Sequence, residues 1–156
     1  MNISDYLSAE NIFLDADLKD KTAVLGFIAD ACEKNRVAEN KDEVYQGLLE
    51  REQTMSTGVG GGLAFPHTTS AEAKQAAVIL LRLSRPVDFD ALDKKPVDII
   101  LSLIIPQKDR EIHVRLLARI SRLCRDPAFI EALRNAADPF ELRTEMQKVE
   151  QEKAPG

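Results

Sequence analysis

Residues 56–69 read Ser56-Thr57-Gly58-Val59-Gly60-Gly61-Gly62-Leu63-Ala64-Phe65-Pro66-His67-Thr68-Thr69. Gly58, Gly60, Gly61 and Gly62 predict left-handed or closely approached backbone that a side chain would block. The apolar trio Leu63, Ala64 and Phe65 then suits a short strand, and Pro66, lacking an N–H, ends its ladder. On this reading His67 stands where a rigid element meets a turn, a good place to hold a reactive side chain. A glycine-rich loop beside an incidental surface histidine is the plainer alternative.

N-terminal to this stretch, residues 1–18 suit a short helical turn near Tyr6 and Leu7, then a brief strand over 12–14. Asp20 is a candidate N-cap for a helix reaching about residue 35. Val24, Ile28, Ala31 and Cys32 make its apolar stripe. Asn40, with Glu43 three positions on, has capping-box spacing for a second helix ending near residue 53. C-terminal to His67, residues 68–74 form a polar turn, and 76–83 a mostly apolar strand. Residues 86–89 make another short strand, 90–96 a turn, and 97–105 a strand ended by Pro106. Such Val/Ile/Leu-rich runs fit strands covered on both faces. A long helix follows from residue 109 or 110 to about 125. Ile112, Leu116, Leu117, Ile120, Leu123 and Cys124 face inward, and Arg115, Arg119, Arg122 and Arg125 form a solvated basic rail. Asp126-Pro127 and Asp138-Pro139 each open a further helix. Phe140, Leu142 and Met146 anchor the last, and a polar tail from 147 to 156 frays. The expected class is α/β (mixed α+β), with a central mixed sheet of about five strands and helices on both faces.

A chain of 156 residues is long enough for one domain with a real core. Its 21 basic and 26 acidic residues give a net charge of −5, which disfavours nucleic acid or an anionic membrane as the main partner. Cys32 and Cys124 read as small core residues of a reducing compartment. No apolar run reaches membrane-spanning length and the start lacks signal-peptide character, so a cytoplasmic protein without membrane insertion is expected. His67 and His113 are the only histidines. They offer no zinc-ligand spacing, and the glycines lack the Gly-Lys-Ser/Thr ending of a nucleotide loop. Neither a metal nor a cofactor is expected. His113, in the first turns of the long helix, lies where the helix dipole favours neutral imidazole and where backbone N–H groups can meet a phosphate.

These residues carry a resemblance over about 4–146. Leu49-Glu50-Arg51-Glu52, then Ser56-Thr57-Gly58-Val59-Gly60, then Leu63-Ala64-Phe65-Pro66-His67 resemble the enzyme IIA domain of the bacterial phosphoenolpyruvate-dependent phosphotransferase system, fructose/mannitol and nitrogen-regulatory superfamily. The resemblance implies that His67 is phosphorylated and that Arg51 and His113 complete the site. Gly58 and Gly60 let backbone approach the reacting centre, Ser56 or Thr57 adds a hydroxyl, and Pro66 holds His67 toward its donor. It also implies an HPr-type phosphocarrier as donor. The phosphate then passes to an enzyme IIB, or its presence regulates proteins such as potassium-transport or sensor components. The short free-standing chain favours the regulatory branch, with sugar transport or a binding module without phosphotransfer as alternatives. Thr68 and Thr69 depart from the glycine and basic residue that follow the histidine in many nitrogen-branch members.

Overall fold

The computed structural model describes residues 1–153. After two 3-10 turns, Ile3–Tyr6 and Ala9–Asn11, come β1 (Ile12–Ala16), α1 (Lys21–Lys34) and α2 (Lys41–Thr54). The short strands β2 (Gly58–Gly60), β3 (Leu63–Ala64) and β4 (His67–Ser70) precede the long β5 (Ala77–Val87) and β6 (Val97–Pro106). The helices α3 (Arg110–Leu123), α4 (Pro127–Asn135) and α5 (Pro139–Lys153) follow. The strands form one mixed six-stranded sheet in the order β1-β5-β6-β3-β2, with β4 also paired to β6. Strand β6 runs antiparallel to β5 and parallel to β3 and β4. Its residues Ile99 to Ile105 are fully buried, the mark of a strand covered on both faces.

Period-two alternation divides the core. Ile99, Leu101, Leu103 and Ile105 pack with Leu63, Phe65, Val78 and Leu80 beneath α3, α4 and α5. Ile100 and Ile104 pack with Ala64, Ile79 and Leu81 beneath α1 and α2. Both cysteines are enclosed enough that burial pushes their thiols up to about 12.

Several expectations are corrected. Pro66 does not end the ladder, and 68–70 is strand rather than turn. The carbonyl of Pro66 accepts from Leu103 N–H at 3.0 Å and from Ser102 Oγ at 2.9 Å, and β6 is long enough to pair both pieces. Leu63 pairs with Ile99 and His67 with Leu103, the same offset on either side of the break. Residues 77–87 form one strand; Pro86 sits in its irregular part, between Arg82 and Val87. Asn40 caps α2, accepting from the Asp42 and Glu43 N–H groups, but Glu43 does not close the box. Its carboxylate accepts instead from Ser70 Oγ at 2.5 Å, pinning the end of β4.

Arg119 leaves the solvated rail: it is 4% exposed, with Nε 3.7 Å from the buried Glu150 carboxylate. That carboxylate also accepts from the N–H groups of Ile3 and Ser4 at 2.6 and 3.0 Å. The tail therefore does not fray at 147. Helix α5 continues to Lys153 because Val149 and Glu150 are buried against the N-terminal turn; residues 154–156 lie outside the described part. Leu142 and Met146 anchor α5 as expected, whereas Phe140 is 75% exposed on its outer side.

Candidate functional site

Strand parity aims His67. Leu63 and Phe65 face the α3 layer, so the residue two further on faces it too. Its imidazole lies half-buried with its centroid 4.9 Å from that of His113 on α3. One tautomer satisfies both ring nitrogens. Nδ1 lies 2.9 Å from the Phe65 carbonyl oxygen, which can only accept, so Nδ1 carries the proton. Nε2 accepts from the Arg51 Nε–H at 3.2 Å, so its lone pair points at the guanidinium.

Electrostatics keep the ring neutral. Burial pushes His67 below the usual imidazole value, the Phe65 carbonyl partly opposes this, and Arg51 and His113 add to the depression. The weaker pull of Glu52 is upward. Burial first, and Arg51 second, also lower His113. Its buried Nε2 has no hydrogen-bond partner among the described residues. Arg51 comes from the last turn of α2, on the other face of the sheet. Its Nη1 donates to the Met55 carbonyl at 2.7 Å, which steadies the guanidinium over His67. Among the described residues it forms no ion pair, so its charge is not cancelled by a carboxylate. A neutral imidazole nitrogen, a guanidinium with no carboxylate partner and a second, unpartnered imidazole nitrogen can together receive a dianionic group.

The structure thus brings His67, Arg51 and His113 together, and Pro66 joins them through the two bonds to its carbonyl. It places Ser56, Thr57, Gly58 and Gly60 elsewhere, in the scaffold. Ser56 Oγ donates to the Phe89 carbonyl at 2.5 Å and accepts from Gly58 N–H at 3.0 Å. Thr57 donates its hydroxyl and N–H to the Glu52 carboxylate. A Cβ at Gly58 would lie 2.9 Å from Ala91 Cβ, so this glycine admits the 88–96 loop. Gly60, Gly61 and Gly62 have φ of +102°, +67° and +82° and turn the β2–β3 hairpin.

Sequence reading missed the roles of three supporting residues. Glu52, 7% exposed, pairs with Lys21 Nζ at 2.9 Å and ties α1, α2 and the Ser56–Gly58 segment together. Its position directly after Arg51 was the available signal. Ser102, fully buried in an otherwise apolar strand, marks the bond to Pro66. Gly47 interrupts the middle of α2, where glycine costs about 1 kcal/mol relative to alanine, and it faces Thr68. Among the described residues there is no cluster of three or more potential metal ligands, and no helix is long and apolar enough to cross a membrane.

Comparison with known proteins agrees with this architecture. The chain is 33% identical over 138 residues to a nitrogen regulatory protein of Bradyrhizobium diazoefficiens, covering 88% of this chain and 90% of the relative. It is 32% identical over 122 residues to a fructose-specific EIIA component of Haloferax volcanii, covering 78% and 79%. The crystal structure of nitrogen regulatory protein IIA-Ntr from Neisseria meningitidis superposes with a TM-score of 0.86 at 29% identity, covering 92% of this chain and 98% of that one. Residues 5–149 match the family described as phosphoenolpyruvate-dependent sugar phosphotransferase system, EIIA 2, and the chain belongs to that family.

Proposed function

We propose that His67 accepts a phosphoryl group on Nε2 from the phosphohistidine of an HPr-type carrier, and that the phosphorylation state of the protein regulates others. The observation that supports this most is the fixed tautomer: Nδ1–H is held by the Phe65 carbonyl and the Nε2 lone pair faces the Arg51 guanidinium. In the transfer, the Nε2–P bond forms as the donor's N–P bond breaks, and the donor imidazole leaves with the electron pair. The proton stays on Nδ1, donated to the Phe65 carbonyl, whose partial negative charge offsets the positive charge developing on the ring. Arg51 shifts from the lone pair to the phosphoryl oxygens, where its planar fork suits the geometry, and His113 Nε2–H donates to one of them. The added charge of about −2 changes the surface that a partner meets.

The regulatory role is favoured by the nitrogen regulatory proteins among the relatives, including the Neisseria structure. Potassium-transport or sensor components are the expected class of regulated protein, in the cytoplasm. The fructose-specific relative supports a second reading, passage of the phosphate to an enzyme IIB. Incubation with phosphoenolpyruvate, enzyme I and an HPr-type carrier should add one acid-labile, base-stable phosphate, and His67→Ala should abolish it. Phosphate retained by that variant would refute the assignment. A chase onto fructose-type enzyme IIB separates the branches, since rapid passage there would establish the transport reading.

A further inference from the structure

Gly47 lies in mid-helix on α2, against β4. A Cβ built there would overlap Thr68 Oγ1 and lie 3.1 Å from Thr68 Cβ. Rotating Thr68 moves Oγ1 away but leaves the Cβ contact short of the roughly 3.5–4.0 Å that carbon atoms prefer. One turn further along the same face of α2 is Arg51; one residue before Thr68 is His67. We infer that Gly47 and Thr68 form the spacer that sets the distance between α2 and β4, and so positions Arg51 on Nε2 of His67. Both are positioning residues, since neither touches the reacting nitrogen. The inference rests on the proposed role of His67 only for its kinetic consequence.

Alanine at 47 favours helix intrinsically, so α2 itself does not suffer. It must instead move away from β4 by about 0.5 Å or more to restore a normal carbon contact. The Arg51–His67 hydrogen bond, already 3.2 Å, then exceeds hydrogen-bonding range. Misplacement of that size slows transfer by roughly 10- to 100-fold. The groups facing His67 are Arg51 and Glu52 from α2 and His113 from α3. Withdrawal of Arg51 therefore raises the pH at which His67 titrates.

The experiment is an NMR titration of His67, with phosphotransfer kinetics in parallel, on wild type, Gly47→Ala, Thr68→Gly and the double variant. Gly47→Ala should titrate at higher pH and transfer more slowly, and Thr68→Gly in the same chain should return both toward the Thr68→Gly value. An unmoved titration in folded Gly47→Ala, or a shift that Thr68→Gly does not reverse, would overturn the inference. Thr68→Ile, which crowds the contact from the strand side, should give the same upward shift and serves if Gly47→Ala does not fold. Should the titrations move as expected while wild type accepts no phosphate, the spacer stands and the phosphocarrier reading falls.

Discussion

Arg51→Ala tests the division of labour within the site. In the resting state Arg51 gives one N–H to His67 Nε2 at 3.2 Å and another to the Met55 carbonyl at 2.7 Å. During transfer its fork turns to oxygens carrying nearly two negative charges, in a half-buried setting where donors act strongly. Removing one preorganised donor from such a centre costs about 2.7–4 kcal/mol, or roughly 10²–10³ in rate. Two smaller effects modify this, the first opposing the loss and the second adding little to it. Freeing the lone pair returns about 1 kcal/mol, the usual net worth of a hydrogen bond. Without Arg51 the imidazole titrates higher, but against an ordinary value of about 6.5 it is still mostly neutral near pH 7.5. The net expectation is a fall of about 100-fold. Arg51→Lys keeps the charge without the fork and should lose about 10-fold.

Rapid-quench transfer from a radiolabelled phosphorylated donor, followed across pH, provides the assay. Wild-type rates should begin to fall at a lower pH than an ordinary histidine would dictate, because a depressed histidine keeps its neutral form to lower pH. In Arg51→Ala the fall should begin at higher pH. Transfer within twofold of wild type, or an inflection moving downward, would refute the role given to Arg51.

The remaining predictions concern the scaffold. Glu150→Gln weakens the bonds to the Ile3 and Ser4 N–H groups and leaves the Arg119 charge buried without its counter-ion, so denaturant titration should show a loss of about 2–4 kcal/mol. An unchanged midpoint would remove Glu150 from the fold's supports. Glu52→Gln leaves Lys21 only the more distant Asp90 carboxylate, at 3.8 Å, and weakens the hold on Thr57. Amide hydrogen exchange should quicken at Thr57 and at Phe65, whose N–H donates to the Thr57 carbonyl; equal protection in both proteins would reject this.

Most elements were legible because their signals are local. Asp20, Asn40 and Asp126 accept from backbone N–H groups at the starts of α1, α2 and α4, as their residue types suggest. The apolar runs of β5 and β6 mark strands enclosed by two layers. That His67, Arg51 and His113 lie together was expected only from resemblance, and spacing alone could not have supplied it, since the three lie on β4, α2 and α3. The misreadings have non-local causes. Pro66 breaks a strand when judged by its missing N–H, yet its carbonyl has two donors on β6. Arg119 belongs with its rail by sequence, and only the arrival of α5 gives it a buried carboxylate. Ser56 and Thr57 suggest phosphate donors by their hydroxyls; the carbonyl and carboxylate that take those hydroxyls belong to residues 89 and 52.

The position of His67 at the sheet margin follows from the same interruption. Arg51 and His113 belong to helices on opposite faces of the sheet, and a strand flanked on both sides would keep them apart. Strand β4 pairs with β6 alone, so beyond it the sheet is open and a long side chain from α2 can reach around the edge. Had Leu63 to Ser70 been continuous strand beside a full-length β2, a ladder would occupy that edge. The Gly60–Gly62 turn and Pro66 keep β2 and β3 to three and two residues. The constant offset along β6 meanwhile preserves the parity that sends His67 toward α3. Glycine and proline therefore act on the chemistry through the sheet: they shorten the strands enough to expose an edge and leave the register that aims the imidazole intact.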